Sequence, residues 1–308
     1  MNTQRIYTDL AMEAKELHPE LPGIYEQSEQ KGSVSISRIT VENEQSANKI
    51  GKLCGKYVTL DSPALADRDS QAFHEIACIL ADEITKLIGN LKEGATILVA
   101  GLGNRFITPD SLGPRVVEKT YVTRHITEYM PDALDEKLRS VCAIAPGVLG
   151  ITGVETFDIV SSLVSKLKPD AVIAIDSLAS RRAARINTTI QLTDTGISPG
   201  SGVGNNRAGL NRQTLNVPVI AVGVPMVVFA TTIAQDTITL IAEKTGLHND
   251  EQKLIKLADE VINENMGTMV VTPKDIDCIV DDMSKVLSEG INRALHGAKY
   301  DDVAEILA

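Results

Sequence analysis

Tryptophan is absent, and aromatic residues make up only 3% of the 308-residue chain. A stacking platform for single-stranded nucleic acid needs several such rings, so the composition argues against that class. Basic residues are also outnumbered: 30 Lys and Arg stand against 41 Asp and Glu, for a formal charge of -11. A surface of that sign repels phosphate backbones and anionic lipid, which disfavours both as partners. No stretch approaches the roughly 18 uninterrupted apolar residues of a membrane span. The opening MNTQRIYTDLAMEAKELHPE has no apolar core of a secretory signal, so a cytoplasmic location is expected. Cys54, Cys78, Cys142 and Cys278 are scattered with no CxxC spacing, and are expected to be reduced and buried. Neither HExxH nor GxSxG occurs, so a zincin is excluded and serine–histidine catalysis has no support. No metal or cofactor is expected.

What the chain does have is a hydrophobic fraction of 43%, enough for a full core. The first thirty or so residues are polar, carry Pro19 and Pro22, show no sustained period, and read as an arm outside the core. Residues 33–42 alternate apolar and polar, as a half-buried strand does. Apolar, β-branched runs follow at 96–104, 141–150, 171–180, 188–196 and 219–228, each ending in a glycine, proline or polar residue. Such runs suit strands covered on both faces. Helical spacing appears at 72–91, at 155–169, and at 229–246, where Gly246 is the expected stop. A last helix is expected to open with Thr272 as N-cap and Pro273 at the first position, and to run through Ile276, Ile279, Val280, Met283, Val286 and Leu287 towards His296. Alternation of strands and helices predicts one α/β domain: a mostly parallel sheet with helices on both faces.

In such sheets ligands bind beyond the carboxyl ends of the strands. The residues there include Gly101-Leu102-Gly103-Asn104, then Thr108-Pro109-Asp110, Asp176, Asp194, and the glycine-rich run 199–204. Gly101-Leu102-Gly103 lacks the third glycine of a dinucleotide fingerprint, and 199–204 lacks a phosphate-binding lysine. Both read instead as places where backbone approaches backbone or a bound chain. Asp176 is expected to end its apolar strand, and Asp110 sits in a proline-bracketed loop able to hold it over the same crevice. Two carboxylates sharing a site hold one proton between them, and such a pair can activate water and protonate a leaving amine. The alternatives are ordinary: Asp176 as the N-cap of a following helix, Asp110 as a turn residue.

Ten blocks, in order, resemble the germination protease family, an unusual group of aspartic endopeptidases. Among them are TDLAMEA (8–14), YVTLDSP (57–63), VAGLGNRFITPDSLGP (99–114), APGVLGITGVET (145–156), PDAVIAIDSLASR (169–181) and DTGISPGSGVGNNR (194–207). The resemblance implies a fold similar to hydrogenase-maturation proteases, homotetramers, and small acid-soluble spore proteins as substrates. It implies catalytic Asp110 and Asp176, and a zymogen that cleaves itself between Asp9 and Leu10. Residues 1–9 would then be a propeptide and 10–308 the α/β protease domain. Around that bond, the acidic residue before the cut, the apolar one after it, alanine next and Glu13 two further on imitate the family's substrate sites. Arg105, Arg124, Arg181, Arg182 and Arg207 are candidates for reading acidic groups. Two other readings stand beside this one: a metal-assisted peptidase of the hydrogenase-maturation type, and an oligomeric module that binds spore proteins without cleaving them.

Overall fold

The computed structural model describes residues 8–130, 138–198, 208–246, 251–266 and 269–307. Among these, one sheet runs through β1 (Ile24–Lys31), β2 (Val34–Val41), β3 (Gly55–Asp61), β4 (Thr96–Gly101), β5 (Ser140–Ile144), β6 (Ala171–Ser180), β7 (Thr189–Thr193), β8 (Val219–Phe229) and β9 (Val270–Val271). Their spatial order is β1-β2-β3-β7-β8-β6-β4-β5, with β9 on β8. The strands β8, β6, β4 and β5 pair in parallel and form the α/β centre that the sequence predicts. From β7 outwards to β1 the pairing is antiparallel.

The reason for uninterrupted apolar runs is visible in β4. Ile97 and Val99 pack on one face with Ile76 and Leu80 of the helix Ser70–Ile88 and Met283 and Leu287 of the helix Ile276–His296. Leu98 and Ala100 pack on the other with Val160 and Val164 of the helix Thr156–Leu167. Successive side chains of a strand face opposite ways, so a strand covered twice cannot alternate in polarity.

The parallel strands differ in length, and that difference makes the crevice. β4 ends at Gly101, and its last link to β6 is Leu102 N–H donating to Ile175 C=O at 2.7 Å. β6 runs on to Ser180 beside β8, so Asp176 lies where β6 has lost its β4 neighbour rather than at the end of its strand. The glycines at this edge act as expected. A Cβ on Gly101 would lie 2.1 Å from Gly113 O, and one on Gly103, at φ 109°, would lie 2.0 Å from Asp110 O. Backbone here stacks on backbone, and this contact seats the Asp110 turn over the strand ends.

Several expectations need correction. The N-terminal segment is not outside the core. Leu10 and Ala11 are wholly buried, and Ala11 and Ala14, in the helix Ala11–Glu16, join a cluster with Ile39, Val41 and Tyr57. A short run with one buried face shows no period long enough to read. Thr272 does not cap the last helix: Asp275 precedes its first residue, Ile276, and the Thr272 hydroxyl donates to Met226 C=O. The cysteines are free, but Cys54 and Cys278 are exposed and the other two only partly covered.

Replacing Gly101 with alanine forces a methyl group into the Gly113 carbonyl. Overpacking against backbone of this kind costs about 2 kcal/mol or more. Urea denaturation of Gly101→Ala is expected to show that loss, and unchanged stability would contradict the close approach.

Candidate active site

Asp110 closes the one-turn helix Thr108–Asp110, and Pro109 fixes the turn's first residues. Its Oδ2 accepts Asn104 N–H at 2.8 Å. Burial raises the carboxyl's pKa, and the Asn104 hydrogen bond opposes that rise. Asp176 caps no helix, and its Oδ1 accepts the N–H of Ser177 at 2.8 Å within the strand. Burial, and then the charge of Asp110, raise its pKa well above the ordinary carboxylate range, with Asp9 adding a smaller push the same way. Two like charges placed together in poor solvent have this effect, because one must keep its proton. Asp110 and Asp176 line one cavity of about 700 Å³.

The same cavity is lined by Thr8 and Asp9. Asp9 N–H donates to Ala179 C=O at 2.9 Å, and its Oδ2 accepts Ala179 N–H at 2.8 Å, so the arm lies along the free continuation of β6. The carbonyl oxygen of Asp9 accepts Lys52 Nζ at 2.8 Å and Gln191 Nε2 at 3.0 Å. Gln191 also accepts Ala11 N–H at 2.6 Å. The Asp9–Leu10 bond is therefore held from both sides, with Asp110 and Asp176 in the same chamber. Residues 1–7 of the expected propeptide lie outside the described residues.

Glu13 is wholly buried, which a carboxylate tolerates only when its oxygens are satisfied. They accept the backbone N–H groups of Arg181 at 2.7 Å and Arg182 at 3.1 Å and the Thr8 hydroxyl, and pair with Arg185 Nε at 3.0 Å. The candidate arginines thus divide. Arg181 and Arg182 meet Glu13 through backbone, while their side chains pair with Asp236 and Glu16. Arg105 and Arg124 pair instead with Glu118 and Glu128. Arg207, like the glycine-rich run 199–204, falls outside the described residues. Arg185, Lys52 and Gln191 went unnoticed in the sequence. Three arginines within positions 181–185 were the available signal for the first; nothing local marks the other two.

Among the described residues no group of three His, Cys, Asp or Glu side chains is disposed to hold a metal ion, and no histidine lines the cavity. The metal-assisted reading asks for a histidine beside Asp110 and Asp176, and gains no support.

The family model described as germination protease matches residues 1–256 and 244–307. A germination protease of Clostridium tetani is 44% identical over 98% of this chain and 99% of its own. That of Clostridium acetobutylicum is 46% identical over 97% of both chains, and that of Bacillus subtilis 38% identical over 96% of this chain and 95% of its own. A nickel–iron hydrogenase maturation protease of Thermococcus kodakarensis aligns over 67% of this chain and 99% of its own, at 11% identity and a TM-score of 0.32. With near-complete coverage at these identities, the chain belongs to the germination protease family of peptidases.

Proposed function

We propose that this protein is an aspartic endopeptidase that begins the breakdown of small acid-soluble spore proteins at germination, and that it is made as a zymogen which cleaves itself between Asp9 and Leu10. The observation that supports the reading is that Asp9, whose carbonyl belongs to that bond, lines the cavity that Asp110 and Asp176 also line. One carboxylate takes a proton from water, the water oxygen attacks the Asp9 carbonyl carbon, and the pair returns a proton to the Leu10 nitrogen as the bond breaks. The docked arm serves as a picture of bound substrate. Its Glu13 pocket supports a preference for an acidic residue four places beyond the cut, and the buried Leu10 supports an apolar residue directly after it.

While docked, residues 8 and 9 form part of the wall of the chamber a substrate must enter, and a tethered segment has a high effective concentration there. Departure of 1–9 would open it. A homotetramer, acting in the cytoplasm of the spore, completes the proposal. Apolar residues exposed on the helices Ala230–Thr245 and Glu251–Met266, including Leu240, Ile241, Leu254 and Leu257, are consistent with contacts between copies. Among the described residues no helix is long and apolar enough to cross a membrane.

Asp110→Asn and Asp176→Asn should each lower the rate of self-cleavage by about 10²- to 10⁴-fold, the usual worth of acid–base catalysis. Intact mass over time reads this directly, and near-normal cleavage by either variant removes that residue from the mechanism. Asp176→Asn should nevertheless fold at least as stably as the parent at neutral pH. The sign follows from the raised pKa: the folded state holds a proton that the unfolded state releases, so stability falls as pH rises through that window, and asparagine escapes the loss. A destabilised Asp176→Asn at neutral pH would contradict the assigned cause.

Glu13→Gln keeps the shape and removes the charge. A charge-assisted hydrogen bond contributes about 1.5–3 kcal/mol, so arm docking should weaken by roughly 10- to 100-fold. Amide exchange at Ala11 and Ala14 is the measurement, with unaltered protection as the contrary result.

A further inference from the structure

The dyad accounts for water and for the leaving amine, but leaves open what holds the charge that forms on the carbonyl oxygen. Sheet register supplies the setting. Asp176 pairs with Gly223, and Gly223 with Gln191, so a carboxyl and an amide stand in one row across β6, β8 and β7. Two strand spacings separate them by roughly 10 Å, and residues in register share a face of the sheet. Gly223 puts no side chain between them, and the Leu178 side chain already crowds the place where its Cβ would stand, at 2.6 Å. Through Thr8 and Asp9 the arm lines the same cavity as Asp176, Gly223 and Gln191. Its Asp9 carbonyl takes Gln191 Nε2 at 3.0 Å and Lys52 Nζ at 2.8 Å, and Lys52 also reaches Thr8 C=O at 3.1 Å.

We infer that Lys52 and Gln191 form the oxyanion-holding pair of this peptidase, and that Lys52 is a catalytic residue beside Asp110 and Asp176. The inference rests on the proposed cleavage after Asp9. When water adds to the carbonyl carbon, the carbon–oxygen π pair moves to the carbonyl oxygen, which becomes negative. Lys52 Nζ and Gln191 Nε2 already touch that atom. As the pair returns to re-form the carbonyl, the carbon–nitrogen bond breaks, the dyad protonates the Leu10 nitrogen, and the new Asp9 carboxyl and Leu10 amine separate. Donors fixed before reaction cost no reorganisation during it, and charge is stabilised most where water is scarce.

The surroundings of Lys52 suit this work. Among the described residues, the hydrogen-bond acceptors of its ammonium are the backbone carbonyls of Thr8 and Asp9. Burial lowers its pKa, while the charges of Asp9 and Glu13 oppose that shift, and Asp110, Asp176 and Tyr57 line the same chamber. An ammonium so poorly solvated gains from a developing negative charge more than an exposed lysine would. Gln191 has a second task, since its Oε1 holds Ala11 N–H, and one amide thus grips the chain on both sides of the cut.

The test uses the full chain and follows the first-order rate of cleavage between Asp9 and Leu10 by intact mass, for wild type, Asp176→Asn, Lys52→Met, Lys52→Arg and Gln191→Met. Circular dichroism checks the fold, and amide exchange at Ala14, and also at Ala11 in the variants that keep Gln191, checks that the arm stays docked. Loss of an oxyanion donor lowers rates by about 100- to 1000-fold, so Lys52→Met is expected to fall by that factor with its arm still protected. Lys52→Arg, which keeps a charged donor, should recover at least about tenfold of that loss, and Gln191→Met should lose about tenfold or more. A Lys52→Met rate within threefold of wild type overturns the inference, as does a loss matched by an unprotected arm. If Lys52→Met does not fold, Lys52→Arg and Gln191→Met decide, and wild-type rates in Gln191→Met overturn the pair. Failure of the underlying reading looks different: wild type stays uncut, or Asp176→Asn cuts at the wild-type rate.

Discussion

Backbone meets backbone where Gly101 and Gly103 pass under Asp110 and Gly113, and most of the site depends on that contact. A side chain at either position would lift the Thr108–Asp110 turn off the strand ends. Without the turn, Asp176 would face open solvent at the ragged edge of the sheet, and its carboxyl would titrate as an exposed one. The early stop of β4 makes the crevice, and the glycine stack roofs it. Desolvation then does what neither residue's own chemistry would do, and raises the pKa of both carboxyls.

The chamber collects charge of one sign. Among the described residues, Asp9, Asp110 and Asp176 all line it, with Lys52 as their cation. Asp110 and Asp176 are coupled, so their apparent pKa values belong to the pair and not to single residues. Glu13 meets its cation in Arg185 and two backbone N–H groups, so its burial costs little. The same groups that make the arm comfortable are those that would bind a substrate chain of the same pattern. On the proposed reading, zymogen and substrate recognition would draw on one set of contacts, so that what docks well would also compete well.

The α/β centre was legible because burial on both faces writes itself into sequence as unbroken apolar runs, and β6 falls where 171–180 predicts it. Asp110 falls in the loop past such a run, whereas Asp176 lies inside the run 171–180 and reaches the crevice only because β4 stops early. The antiparallel half was harder. β1 exposes nearly every side chain, so no apolar pattern marks it. The N-terminal helix hid for a different reason: its buried face includes a carboxylate, Glu13, whose partners are backbone amides 168 and 169 positions away. Lys52 and Gln191 carry no motif at all. Their meaning comes from sheet register and from the docked arm, both of which are long-range facts that no window of sequence contains.

The central claim is that Asp176 and Asp110 share a poorly solvated site and divide a proton. The most direct measurement is carbon-13 NMR of the aspartate carboxyls across pH, with the Asp176 resonance assigned by its loss in Asp176→Asn. The account predicts a carboxyl that titrates well above the ordinary aspartate range and moves downward when Asp110 is made asparagine. An Asp176 that titrates as an exposed aspartate, indifferent to Asp110, would contradict it.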